Sequence, residues 1–330
     1  MNDQNLDAVI TFTPPAPKET NKRYVIFFRD NVAGWGSCGI ALNALTEPDR
    51  RYVTKPVGRK QDSGDILESL DPSDHVYLLG LGLDRELADA IHAKVEKFVL
   101  LDNTKTSEKK FKDAEYATVA LDKSSALLTF EHFFPEMLND EYSSLPIPVR
   151  LVDNYDLWKK TDTKVNWLWV VGFHLFVVEH VGDYSFWREL MAMVDLPSTT
   201  YNIIRQKAID FEASVDEIIK SADFSEEVFK GKRFVVFPCA KHNPLISDAI
   251  LTFAIKNNRA TDFTASFFEK DNEVVIKLFG NKDFNNFLSL AESVDNNDRD
   301  SDLGFTITVG PDEVVKDKVL DEIRKGIIAL

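Results

Sequence analysis

Residues 24–42 read YVIFFRDNVAGWGSCGIAL. The first five, all aromatic or β-branched, predict a short buried strand, and the run then breaks on Arg29, Asp30 and Asn31. Small residues follow at Ala33, Gly34, Gly36 and Ser37, so the chain turns tightly and enters a helix to about Leu45.

The same alternation continues outward. Residues 75–80 give a second buried strand and 84–95 a helix. Residues 97–101, KFVLL, give a third strand that runs into Asp102, Asn103 and Thr104. A further strand falls at 116–120 and a helix at 123–133. Short apolar runs alternating with helical segments predict an α/β fold, a mostly parallel sheet flanked by helices. Asp30, Asn31 and Asp102 then fall at the carboxyl ends of strands, the edge along which open α/β sheets bind ligands.

Residues 163–222 read as largely helical. Their most apolar stretch, 165–178, is interrupted by Asn166, Gly172 and His174 and is shorter than the roughly 20 residues of a membrane span, so it predicts a buried helix. A turn at 229–232 opens a second set of elements: a strand at 233–237, then a helix and strands among 251–255, 262–268, 273–279 and 304–309. The expected organisation is a flexible arm over 1–22, a larger α/β domain over 23–222 and a smaller α/β domain over 231–330.

Composition narrows the function classes. With 24 Phe, 8 Tyr and 5 Trp in 330 residues there is apolar surface enough to offset ordering entropy, which excludes disorder over the whole length. A formal net charge of -15 repels a polyanion and disfavours nucleic acid as a partner. The densest basic run, Lys109, Lys110 and Lys112 with Lys105 before it, reads as a solvated helix face. Two cysteines, Cys38 and Cys239, exclude a disulfide framework and a cysteine zinc site; both read as buried small hydrophobes in a reducing compartment, the cytoplasm. The polar start, with Pro14 and Pro15, does not read as a signal peptide.

The chemistry available is that of carboxylates. Phosphate-ester hydrolysis without a covalent intermediate uses clustered acids to hold two divalent ions that activate water and clamp the phosphate. Asp30, Asp102, Asp153 and Asp156 are the set expected at strand ends, and Asp102 after FVLL and Asp153 after VRLV are the best metal ligands among them. Histidine does not complete the set. His75 starts its strand, on the opposite edge; His92 lies in a helix; His174 and His180 fall on or after an apolar helix; His132 and His242 have no spaced partner. The glycine turn at 33–36 lacks the lysine of a phosphate-binding loop.

The order of these features resembles the DHH/DHHA1 phosphoesterase superfamily. In FFRDNVAGWGSCGIAL, Arg29 stands where that family has histidine, and Asn31 and Ala33 where it has aspartates. In VYLLGLG, Gly80 replaces an aspartate. VLLDNTKTSEKKF keeps Asp102 and has Asn103 and Thr104 for the two histidines. LVDNYDLW keeps Asp153, Asp156, Leu157 and Trp158, and ALDKSSALLTFEHFF, with Lys123, Ser124 and Ser125, looks like the helix that precedes it. In the second domain VVIKLFG has Phe279 at the family's arginine, a helix is expected over 283–293, and DNNDRDSDLGF keeps Gly304 and Phe305, with Arg299 near the histidine position among Asp295, Asp298, Asp300 and Asp302.

The resemblance implies a degenerate member. Asp102 and Asp153 alone are a poor pair for two divalent ions, since neutral Asn and Thr oxygens compete weakly with water for Mg²⁺. Arg29 is expected to pair with one of them and replace the metal electrostatically. The leading expectation is therefore a catalytically inactive, DHH-like protein without a cofactor, acting as a structural or interaction scaffold with a protein partner or a second copy of itself. Trp167, Trp169, Phe173, Phe176 and Trp187 are candidates for either an interface or the core. The alternative is a Mn²⁺- or Mg²⁺-dependent phosphoesterase, such as an exopolyphosphatase or a hydrolase of small phosphodiesters, with a reduced site at Asp102 and Asp153. A nucleotide binder would require a basic patch that the linear sequence lacks.

Overall fold

A computed structural model describes residues 22–45, 51–58, 64–138, 145–159 and 166–221. Beyond these it describes the segments 225–229, 232–238, 245–246, 249–250, 263–270, 273–280 and 304–309. The chain divides into two compact units, Met1–Ile209 and Asp210–Leu330.

The first unit is built on β1 (Arg23–Arg29), β2 (Arg51–Val57), β3 (His75–Leu79), β4 (Lys97–Asp102) and β5 (Ala117–Val119). These form one sheet in the order β2-β1-β3-β4-β5, every neighbouring pair parallel. The connecting helices are α1 (Val32–Leu45), α2 (Gly64–Glu68), α3 (Arg85–Lys94) and α4 (Lys105–Phe111). After the sheet come α5 (Ser125–Phe133), α6 (Ile147–Asp156), α7 (Trp167–Val177), α8 (Tyr184–Met191) and α9 (Ser198–Ser221).

Strand alternation sorts the core into two layers. Tyr24, Ile26 and Phe28 of β1, Tyr77 and Leu79 of β3 and Leu101 of β4 pack with α1, α5, α6, α7 and α8. Val25 and Phe27, Val76 and Leu78, and Phe98 and Leu100 point the other way and pack with Ile66, Ala88, Ile91 and Phe111. Both faces of the sheet are thus covered, which is why its central strands are continuous apolar runs. The α/β class with helices flanking a parallel sheet is what the sequence predicts.

α1 is the centre of the first layer: every residue from Val32 to Ala41 is buried. Its entry turn depends on Gly34, where a Cβ would lie 1.8 Å from the Arg29 carbonyl oxygen, so no side chain fits. Asn31 caps this helix, its Oδ1 accepting from the Gly34 N–H at 2.9 Å.

Several sequence expectations change. β2 is not among the expected strands; it carries Pro56 and charged residues, which an edge strand paired only with β1 tolerates. Asp153 and Asp156 do not end a strand; they lie on α6. Pro146 and Pro148 sit at its N-cap and first turn, where a missing N–H costs nothing. The stretch 165–178 is a largely buried helix, as expected, with Val170, Val171, Gly172, Phe173 and Val177 inside. The aromatic set settles into the first unit: Phe173 and Trp187 are fully buried, and Trp167, Trp169 and Phe176 pack against the same core. Lys105 and Lys109 of α4 and Lys112 at its C-cap are exposed, and Lys110 pairs with Asp84 at 2.8 Å. Cys38 is buried, and burial pushes its thiol pKa up.

In the second unit β6 (Ser225–Phe229), β7 (Lys232–Pro238), β8 (Phe263–Lys270), β9 (Glu273–Gly280) and β10 (Gly304–Val309) form a mixed sheet in the order β10-β9-β8-β7-β6. Only β7 and β8 run parallel. Phe279 pairs with Gly304 across β9 and β10. The expected arm over 1–22 (save Lys22), the segments 251–255 and 283–293, Asp295 to Asp302 with Arg299, Cys239 and His242 lie outside the described residues.

Candidate functional site

The carboxyl edge of the parallel sheet brings the candidate residues together. β4 ends on Asp102, which is fully buried. Its Oδ1 accepts from the Asn103 N–H at 2.9 Å and its Oδ2 from the Thr104 hydroxyl at 2.9 Å. Thr104 also caps α4, its side chain accepting from the Ser107 N–H. The two residues that follow Asp102 are therefore its hydrogen-bond donors.

Asp153 is also fully buried. α6 presents it to the N-terminus of α5, where its Oδ1 accepts from the Ser124 N–H at 2.7 Å. That backbone donor would otherwise be an orphan of the helix start, and a carboxylate is the favoured partner there. Oδ2 accepts from Lys159 Nζ at 2.6 Å. Lys159 donates as well to the Asp122 carbonyl at 2.8 Å.

Asp156 sits one turn further along α6 and accepts at Oδ2 from Asn103 Nδ2 at 3.0 Å. It keeps part of its surface in water, yet desolvation dominates its titration and pushes its pKa up to about 6. The Asn103 hydrogen bond and the charge of Arg29 pull it down, and the charges of Asp153 and Asp102 push it up. Asp102, Asp153 and Arg29 thus all lie within electrostatic reach of Asp156. Asp30 does not join it: it is exposed, and its Oδ1 accepts from Trp35 Nε1 at 2.8 Å.

The expected pairing of Arg29 with Asp102 or Asp153 is corrected. Among the described residues no ion pair joins them, and the cation on Asp153 is Lys159. Sequence reading missed Lys159. The one signal for it is a basic residue just past the end of a helix, where it can fold back on the last turn.

Its delivery depends on an uncommon turn. The Lys159 N–H donates to the Asn154 carbonyl at 2.9 Å and the Trp158 N–H to the Tyr155 carbonyl at 3.1 Å, the paired bonds of a Schellman cap. Trp158 occupies the left-handed position at φ 49°, where glycine is usual. Its ring packs on Tyr155 and Trp167, at centroid distances of 6.0 and 5.3 Å.

At the end of β3, Gly80 has φ 68°, and a Cβ there would meet Ser125 Oγ at 2.9 Å and Ser125 Cβ at 3.0 Å. Ser125 therefore fills the space that an aspartate at position 80 would need. Ser125 Oγ accepts in turn from the Ser37 hydroxyl at 3.2 Å.

These residues do not fit a pair of divalent ions. Each oxygen of Asp102 and Asp153 already accepts from a donor within the chain, a lysine ammonium lies against Asp153, and position 80 has no room for a further acid. Among the described residues no group of three or more His, Cys, Asp or Glu is arranged to hold a metal ion. The described histidines lie elsewhere: His75 on the opposite edge near Glu96, His92 against Tyr116, His132 against Tyr77, and His180 stacked on Phe186. His174 is stacked on Tyr155 at 3.6 Å, and its Nδ1 has no hydrogen-bond partner among the described residues.

No protein-family model matches the chain, and no curated protein matches it by sequence. Solved structures do. The DHH domain of a member of the s1p family of ribosomal proteins matches with a TM-score of 0.58 at 13% identity, over 94% of this chain and 87% of that one. CDC45 from Entamoeba histolytica matches with a TM-score of 0.50 at 8% identity, over 93% of this chain and 95% of that one. RecJ from Thermus thermophilus, solved with Mn²⁺, gives 0.49 at 11% identity, over 93% of this chain and 52% of that one. At such identities the likeness concerns the fold, and with the parallel sheet and the order of its edge residues it gives one answer: the chain has the fold of the DHH superfamily.

Proposed function

We propose that this chain is a catalytically inactive DHH-fold protein that serves as a structural or protein-interaction scaffold. The observation that carries the reading is that all four carboxylate oxygens of Asp102 and Asp153 are engaged by donors of the chain itself. A hydrolytic centre keeps such oxygens for metal and water; here they hold β4, α5 and α6 together. The reading includes the domain limits 23–222 and 231–330 with an arm over 1–22, a protein partner or a second copy as the occupant of its surface, and no nucleic acid, given the net charge of -15. The paucity of cysteine supports a cytoplasmic location, and among the described residues no helix is long and apolar enough to cross a membrane.

A second reading rests on the cluster of Asp102, Asp153 and Asp156: a phosphoesterase with a reduced site in which Asp102 and Asp153 bind Mn²⁺ or Mg²⁺. One assay separates the two. The purified protein is incubated with Mn²⁺ or Mg²⁺ and, in turn, inorganic polyphosphate, a short oligoribonucleotide and a chromogenic phosphodiester. No turnover above that of Asp102→Asn is expected. Metal-dependent hydrolysis that this substitution abolishes would establish the second reading. For the scaffold, the protein purified from its native source should migrate in an assembly, and a lone monomer would count against it.

A further inference from the structure

The ion pair between Lys159 and Asp153 is unlike a surface salt bridge in three respects. Asp153 has no exposed surface, whereas the Lys159 side chain keeps 30% of its own. The ammonium bonds two oxygens fixed by different elements, the Asp153 carboxylate on α6 and the Asp122 carbonyl ahead of α5. And it arrives there through a left-handed tryptophan, a backbone conformation that costs free energy in any residue but glycine and persists only where packing holds it.

A buried carboxylate needs a cation or a set of donors, since its charged form is otherwise costly away from water. The Ser124 N–H supplies one donor. Asp156 is a like charge within electrostatic reach of Asp153. One carboxylate oxygen and one backbone carbonyl oxygen are the hard ligands that Mn²⁺, Mg²⁺ and Ca²⁺ prefer. Here both face a single ammonium nitrogen.

We propose that Lys159 is a built-in cation: its ammonium occupies the place of a divalent ion between Asp153 and the Asp122 carbonyl, neutralises the Asp153 carboxylate from within the chain and keeps it closed to metal. This deepens the non-catalytic reading given above and rests on it. The lysine is a positioning residue for the cluster and has no role in any reaction.

The test is Mn²⁺ binding by the full-length protein, followed by electron paramagnetic resonance of free Mn²⁺ and by the shift of Tm with added MnCl₂. The wild type is expected to leave Mn²⁺ free and its Tm unmoved. Lys159→Met, which keeps the aliphatic stem and loses the charge, should bind Mn²⁺ at least tenfold more tightly and gain Tm with it. Lys159→Met/Asp153→Asn should lose that gain, and Lys159→Arg should behave as the wild type. The proposal is overturned if folded Lys159→Met gains no affinity, or if the wild type binds Mn²⁺ as tightly as the variant. Should Lys159→Met not fold alone, recovery of its fold by Mn²⁺ supports the proposal and no recovery in Mn²⁺ counts against it. Hydrolysis by the wild type in the assay above would instead sink the non-catalytic reading, so the two failures are told apart.

Discussion

Asn103 donates from Nδ2 to Asp156 Oδ2 at 3.0 Å and so ties the turn after β4 to the end of α6, 53 residues along the chain. The bond holds a carboxyl whose pKa burial raises from 3.8 to about 6, worth about 3 kcal/mol at 1.36 per pH unit. Between those values the folded state keeps a proton that the unfolded state has released. Stability contributed by this group therefore falls as pH rises through the window, and the deficit is complete above pH 6. Asp156→Asn keeps an acceptor for Asn103 and removes the charge. It should stabilise the protein at pH 7.5 by about 1–3 kcal/mol in urea unfolding, with little gain at pH 4.

His174 has the opposite slope. Burial lowers its pKa from 6.5 to about 4, so the unfolded chain takes up a proton below pH 6.5 that the folded chain refuses. Its contribution is intact above pH 6.5 and is lost as pH falls toward 4, again about 3 kcal/mol. The two groups offset each other in the wild type. His174→Phe, which retains a ring on Tyr155, should leave a protein whose stability rises as pH falls from 6 to 4, whereas Asp156→Asn should make the acid-side fall steeper. A set of urea titrations across that range checks both signs.

Gly80 faces two separate penalties on substitution. A side chain at φ 68° costs about 1–2 kcal/mol, and its Cβ would press on Ser125 at 2.9 Å. Gly80→Ala should lose about 2–4 kcal/mol, and in a Ser125→Gly background only the conformational part should remain. A double-mutant cycle that showed plain additivity would remove Ser125 from the account.

Trp158 should invert the usual order of truncations. Alanine removes its ring from Tyr155 and Trp167 and keeps the left-handed strain, while glycine removes the ring and the strain together. Trp158→Gly should therefore be more stable than Trp158→Ala by about 1 kcal/mol, against the general preference for alanine. Equal midpoints in chemical unfolding would deny the strain.

At the far edge of the sheet, Arg23 donates to both oxygens of the buried Asp74, from Nε at 2.7 Å and Nη2 at 2.5 Å. Burial alone would raise the Asp74 pKa, but the Arg23 bond, the Asp71 N–H and the charges of Arg23 and Lys94 outweigh it and leave it below 3.8. Arg23→Met strands a buried carboxylate and should cost about 2–4 kcal/mol at pH 7, discounted because the guanidinium is part exposed. The cost should shrink as pH falls below 3.8, when Asp74 can protonate, and unfolding at pH 3 and 7 tests this.

The parallel sheet was legible because β1, β3 and β4 are buried on both faces and leave uninterrupted apolar runs. β2 was not, since it pairs on one side only, and Lys55 and Pro56 suit that position while hiding it. Asp102 was found because a polar residue closing an apolar strand is itself a signal. Asp153, expected as a metal ligand at a strand end, is a buried acid on a helix. Its VRLV neighbours have strand composition, but Val149, Val152 and Asp153 are buried at helical spacings of three and four residues. Lys159 carried little signal for a physical reason: its route runs through a non-glycine residue in the left-handed region, which no propensity announces. Arg29 was the more conspicuous cation in the sequence, and the contact went to the other one.

The meeting of Gly80 and Ser125 also fixes the order in which this corner of the sheet can be altered. An acid placed at position 80 would enter a space already filled, and Ser125 would first have to shrink while giving up the hydrogen bond it receives from the Ser37 hydroxyl. Each step alone weakens the fold. A larger residue at this corner therefore needs two substitutions made together, because a methylene and a hydroxyl stand where a side chain at position 80 would go.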